Sequence, residues 1–168
     1  MVIICFFSAA KANSELVESI VAVVNDDVIL LSEFKVVMRQ AKENGKEVTV
    51  KAVIEGMIHN RLLLEQAKKF NFGRNVSGDM HSDPEKVIKN YIDKRIKAMI
   101  HIPFRDIETY YLNNPDKYAE RDLSDVKSEI EEYLLNMMLE IKRMEHIDEL
   151  MEEATIRIQL DDQLTIKN

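Results

Sequence analysis

The sequence predicts a mainly α-helical domain with a small β element. Three observations carry that prediction. Two short β-branched runs near the N-terminus are split by a polar cluster, several later runs space their apolar residues by three and four, and one long run near the C-terminus approaches a heptad repeat. The chain has 168 residues, 46% of them hydrophobic, which suffices for one compact domain, or a small domain with a long arm, and leaves no room for several.

The first element falls outside the domain. Residues 1–12, MVIICFFSAAKA, read as a signal peptide cleaved after Ala12, because an apolar run ends in a small-x-small pattern and polar Asn13-Ser14-Glu15 follows at once. The usual basic segment before the apolar run is missing. Cys5, the one cysteine of the chain, lies inside this segment, so a mature chain of residues 13–168 would hold no thiol for a disulfide, a redox pair or a nucleophile. Loss of Lys11 would take the formal net charge from −7 to −8. So acidic a chain is a poor nucleic-acid binder, since backbone affinity rests on clustered Lys and Arg. No later apolar stretch reaches the ~20 residues needed to cross a bilayer.

Ile20 to Val24 and Val28 to Leu31 read as two strands of a hairpin around Asn25-Asp26-Asp27, residues that tolerate the positive φ of a tight turn. Ser32 then stands as the N-cap of a helix carrying Phe34, Val37, Met38 and Ala41. Gly45 follows, where a left-handed residue closes a helix. From Val50 to about Phe70 a second amphipathic run presents Val53, Ile54, Met57, Ile58, Leu62, Leu64 and Ala67.

Residues 72–82 hold two of the four glycines and little periodicity, so they read as a loop. Its Asn75-Val76-Ser77 fits a glycosylation sequon that is common by chance. Ser82-Asp83-Pro84-Glu85 marks the next helix start, with Pro84 near the first position and a Ser-x-x-Glu capping box. Its apolar face is Val87, Ile88, Tyr91, Ile92, Ile96 and Met99, and Pro103 is expected to break it. The longest helix, about 123–154, is capped by Asp122 or Ser124. Its seam is Val126, Ile130, Tyr133, Met137, Ile141, Met144, Ile147 and Met151.

Chemistry is sparse. Ser124-x-x-Lys127 lacks the companion motifs of penicillin-recognising enzymes and reads as a capping serine. His146 with Glu149 is a single His/carboxylate pair, where metal sites in helical bundles repeat such pairs across helices, and Glu55 with His59 reads as a solvated pair. No glycine-rich phosphate loop is present. The expectation is therefore no catalytic residue, no metal and no cofactor. Met137, Met144 and Met151 are assigned to the core with Ile130 and Ile141. Met138, with Leu134 or Leu135, is assigned to a second, exposed face whose adaptable side chains fit varied apolar partners.

The strands Ile20 to Val24 and Val28 to Leu31, Ser32, and the run Met57-Ile58 through Leu62, Leu63, Leu64 and Ala67 together resemble the N-terminal domain of SurA-type periplasmic chaperones and parvulin-containing foldases. Tyr110, Tyr111, Asn114, Pro115, Lys117 and Tyr118 are similar to the short helix that precedes the parvulin module in that family. The resemblance implies a SurA N-terminal-like domain over 13–168 whose long helix is followed by a short strand, here Ile156, Ile158 and Leu160, that pairs with the hairpin. It also implies an ATP-independent periplasmic holdase for unfolded or extended polypeptides, outer-membrane protein precursors among them. The parvulin insert would fall between Lys117 and Asp122, where this chain has no domain, so no isomerase activity is expected. Peptide-binding candidates are Leu134, Leu135, Met138, Met57 and Tyr111, in a groove between the long helix and the two N-terminal helices. The competing reading is an assembly protein that forms a helix-swapped homodimer through the short Lys117–Asp122 link.

Overall fold

The computed structural model describes residues 18–45, 47–72 and 83–159. The segment 1–12 read as a signal peptide, with its Cys5, most of the 72–82 loop with Ser82, and Leu160 lie outside the described residues. The fold is mainly helical with one small sheet. Its elements are β1 (Ile20–Val24), β2 (Asp27–Leu30), α1 (Leu31–Glu43), α2 (Val50–Lys69), α3 (Pro84–Arg95), α4 (Phe104–Leu112), α5 (Pro115–Tyr118), α6 (Leu123–Glu153) and β3 (Ile156–Ile158), with a 3₁₀ turn at Lys97–Met99 after α3.

The sheet is antiparallel with order β2-β1-β3. Val24 pairs with Asp27, so the turn proper is Asn25-Asp26, and Asn25 holds φ at +53°. The register jumps between Ile20 and Ala22, a bulge that turns the consecutive Val21 and Ala22 both inward. β3 pairs Ile156 with Val24 and Ile158 with Ala22, joining the end of the chain to its beginning.

α1 starts two residues earlier than expected. It issues directly from β2, so Leu30 occupies the N-cap and Ser32 lies inside the helix, hydrogen-bonded to Glu18. Leucine offers no oxygen to the helix amides. The compensation comes from Glu33, whose Oε2 accepts from the Leu30 N–H at 3.1 Å and whose carboxylate binds the Arg61 guanidinium at 2.8 and 3.0 Å. Gly45 follows the C-cap Asn44 with φ +69°, as a left-handed terminator should. Thr49 caps α2 by accepting from the Ala52 N–H at 3.1 Å. α2 ends in a Schellman motif that the sequence reading missed: Phe72 N–H to Ala67 O and Asn71 N–H to Lys68 O, both 2.9 Å, with Asn71 at φ +61°. α3 begins at Pro84 behind Asp83, whose carboxylate accepts from the Glu85 N–H at 3.1 Å.

Three apolar clusters organise these elements. The first joins the sheet, α1 and the first half of α2 through Val21, Ile29, Phe34, Ile54 and Ile58. The second joins the end of α2, α3 and α6 through Leu63, Ala67, Val87, Tyr91 and Ile147. The third gathers Ile107, Tyr118, Val126, Ile130 and Leu134, so α4 and α5 pack on the first half of α6. α2 is buried on more than one side because it serves two clusters.

Two further expectations about the helices fail. The helix beginning at Pro84 does not run to Pro103. It stops at Arg95, and Met99, placed on its apolar face, is 82% exposed. The α6 seam is also covered differently. Val126, Ile130, Leu134 and Ile147 are buried, while Tyr133, Met137, Ile141, Met144 and Met151 are exposed, so the three methionines assigned to the core are not in it. The reason is geometric: residues in heptad register share a face, but α4 and α5 cover that face only as far as Leu134.

Candidate functional site

Among the described residues, a groove of about 550 Å³ lies between α6 and the α2–α3 side of the fold. Phe70 at the C-cap of α2, Tyr91 and Arg95 of α3, Ile96 and Met99 of the connector, and Met138 and His146 of α6 form its walls. The α2 Schellman turn places Phe70 and Phe72 around Tyr91. Phe70 stacks with it at 6.2 Å between ring centroids, and Phe72 meets it edge-on at 5.5 Å. The Arg95 guanidinium lies 4.3 Å from the Phe70 ring centroid, a cation–π contact that keeps one rim basic.

Tyr91 is the anchor of this wall. Burial raises its phenol above the ordinary value, with Arg95 opposing in the smaller measure, so the hydroxyl remains a donor. Its oxygen is 2.8 Å from His146 Nε2, and His146 Nδ1 is 3.3 Å from Glu149 Oε2. With Tyr91 donating to Nε2, a proton on Nδ1 points at Glu149. Both ring nitrogens are thereby engaged. The trio fastens α3 to α6. Among the described residues, no group of three or more His, Cys, Asp or Glu is gathered as ligands of one ion. Ser124 and Lys127 do not face each other as an activating pair. The Ser124 hydroxyl lies 3.5 Å from Asp125 Oδ1, and the Lys127 ammonium lies 5.6 Å from the Phe104 ring centroid.

The five sequence candidates are dispersed. Met138 lines the groove. Leu134, expected on an exposed face beside it, is 8% exposed and belongs to the third cluster, because α4 and α5 cover that side of α6. Leu135 is half-buried. Met57 packs on the first cluster. Tyr111 stacks on Tyr118 at 5.8 Å and donates to the Arg121 carbonyl at 3.0 Å, which ties α4 to the link before α6. The groove also differs from the expected one, for α3 and the 3₁₀ turn replace α1 as its wall. Phe70, Arg95 and Ile96 escaped the reading because they come from ends of separate elements. The one local signal was the Phe70-Asn71-Phe72 helix terminus.

A second polar centre lies at the hairpin. Arg61 binds Glu33 and also reaches Asp27 at 3.5 Å, joining β2, α1 and α2. No described helix is long and apolar enough to cross a membrane. Neither a protein-family model nor a curated protein matches the sequence.

Proposed function

We propose that this chain is an ATP-independent periplasmic chaperone of the SurA-like kind, a holdase that binds unfolded or extended polypeptides, outer-membrane protein precursors among them, and has no isomerase activity. The observation that carries the reading is the groove: an open trough of mixed lining, in which the aromatic wall of Phe70 and Tyr91 and the adaptable Met99 and Met138 stand among polar and charged side chains such as Arg95, Lys142 and Glu145. A rigid wall fixes where a client segment lies, and unbranched side chains accommodate its variation. The element order supports the same reading. A hairpin, two helices and, after the intervening α3, a short Tyr-Tyr helix and a long helix are closed by a strand that returns to the hairpin, and apart from α3 this follows the order that the sequence resemblance implies. The signal-peptide pattern of residues 1–12 supports export.

The test is suppression of aggregation of a urea-unfolded outer-membrane β-barrel protein on dilution, without nucleotide, at several stoichiometries. Suppression saturating at a fixed ratio, and lost in the Met99→Glu/Met138→Glu variant with its helical circular dichroism intact, is the expected result. Absence of suppression at large excess by the folded chain would defeat the reading. The alternative, a helix-swapped homodimer, is distinguished by a mass that doubles with concentration. Concentration-dependent acceleration of X-Pro cis/trans exchange would overturn the non-enzymatic part.

A further inference from the structure

The apolar side of α6 continues after its partners stop. Val126 and Ile130 are wholly buried under α4 and α5, and further along the same face stand Met137, Ile141, Met144 and Met151, all exposed. The covered and bare parts are continuous: Tyr133 begins the bare run with its ring 5.1 Å from that of Tyr110 in α4. Beyond it α6 is held from other sides. At 100° per residue, Ile147 and Leu150, which pack on the second cluster, lie about 80° and 140° around the helix from Met137.

Charge is concentrated on the same element. α6 carries ten acidic and three basic residues, a formal −7, which equals the net charge of the whole chain, so all other residues together balance. Two of the three bases are already tied within the helix, Lys142 to Glu145 at 2.7 Å and Arg143 to Glu140 at 2.6 Å. Glu140, Glu145, Asp148 and Glu152 border or interrupt the bare stripe.

We infer that this stripe docks a cationic amphipathic helix of another polypeptide. Met137, Met144 and Met151 repeat at seven residues with Ile141 between them, the spacing at which one helix seats the side chains of a second. The bordering carboxylates select Lys and Arg on either side of the partner's apolar seam. A second copy fits poorly, because it would bring ten further acidic residues against these ten with hardly a free base between them. The surface adjoins the groove at Glu145, but Met137, Ile141, Met144 and Met151 are not among the groove's lining residues, and the inference stands independently of the holdase reading.

The probe is an 18-residue helix of leucine and lysine with leucines at heptad spacing, titrated into the full chain by fluorescence anisotropy. Its twins are one with glutamate for lysine and one of the same composition in scrambled order. The inference expects 1:1 binding of the first peptide alone, weakened by added salt. Met137→Gln with Met144→Gln is expected to weaken it about tenfold, from the loss of two apolar contacts, and Met137→Leu with Met144→Leu to retain it. Equal binding of the scrambled peptide, or undiminished binding by a folded glutamine variant, would overturn the inference. So would a concentration-dependent dimer that the glutamine variant abolishes, since the occupant would then be a second copy.

Discussion

Asn25 and Thr155, 130 positions apart, hold each other by two hydrogen bonds: the Asn25 N–H donates to the Thr155 carbonyl at 2.9 Å, and the Thr155 N–H donates to Asn25 Oδ1 at 2.9 Å. The Asn25 amide nitrogen also donates to Glu65 Oε2 at 2.8 Å. One turn residue thus ties the hairpin to both α2 and the strand that closes the fold.

Asn25→Ala is expected to destabilise the chain by about 2 kcal/mol, since it loses both side-chain hydrogen bonds and puts a Cβ-branched-free but still chiral residue at positive φ. Asn25→Gly restores the backbone freedom alone and is expected to cost about 1 kcal/mol. Urea unfolding of the three proteins checks the order. Equal midpoints would mean that the Asn25–Thr155 closure does not contribute to the cooperative unit.

Ile130 and Met137 share one face of α6, yet Ile130 is 0% and Met137 44% exposed. Ile130→Ala should cost about 2–5 kcal/mol, as large-to-small core changes do. Met137→Ala should stay within about 0.5 kcal/mol. Thermal or urea unfolding reads both, and similar losses would place Met137 in a packed interface.

Asn71 occupies the left-handed position that ends α2, at φ +61°. Asn71→Gly should be nearly neutral, whereas Asn71→Ala should cost about 1 kcal/mol. Because this turn seats Phe70 and Phe72 around Tyr91, the alanine variant should also lower client retention in the aggregation assay, which measures the two effects on one protein.

Burial holds His59 below its ordinary value, with Glu55 opposing and Arg143 assisting. The folded state therefore favours the neutral ring. Its contribution is complete above the unfolded value, near 6.5, and is lost as pH falls through the lower folded value. Urea midpoints taken from pH 7 to pH 5 should fall less in His59→Gln than in the parent. An identical decline would assign the acid sensitivity to other groups.

The parts of the fold that were legible in the sequence are those decided within a few residues. The Asn-Asp turn, Gly45 after α1, Pro84 at the start of α3 and the amphipathic run of α2 each announce themselves locally. Ser32 misled because the strand-to-helix junction left no room for a capping residue, and Glu33 took over the task from the third helical position. The α6 seam misled for another reason. Heptad spacing states which side chains share a face, while the end of α4 decides which of them are covered, and that end is not encoded in α6. The groove was least legible, since Phe70, Arg95, Met99 and Met138 meet only after four segments have been placed.

Between Leu134 and Ile147, α6 has no fully buried side chain, a stretch of about 20 Å at 1.5 Å per residue. It is a beam clamped at both ends, by α4 and α5 on one side and by α2 and α3 on the other, with Met138 at the groove within its unsupported span. A change in the width of the groove would therefore call for bending of one helix, with no fully buried α6 side chain between Leu134 and Ile147 to repack.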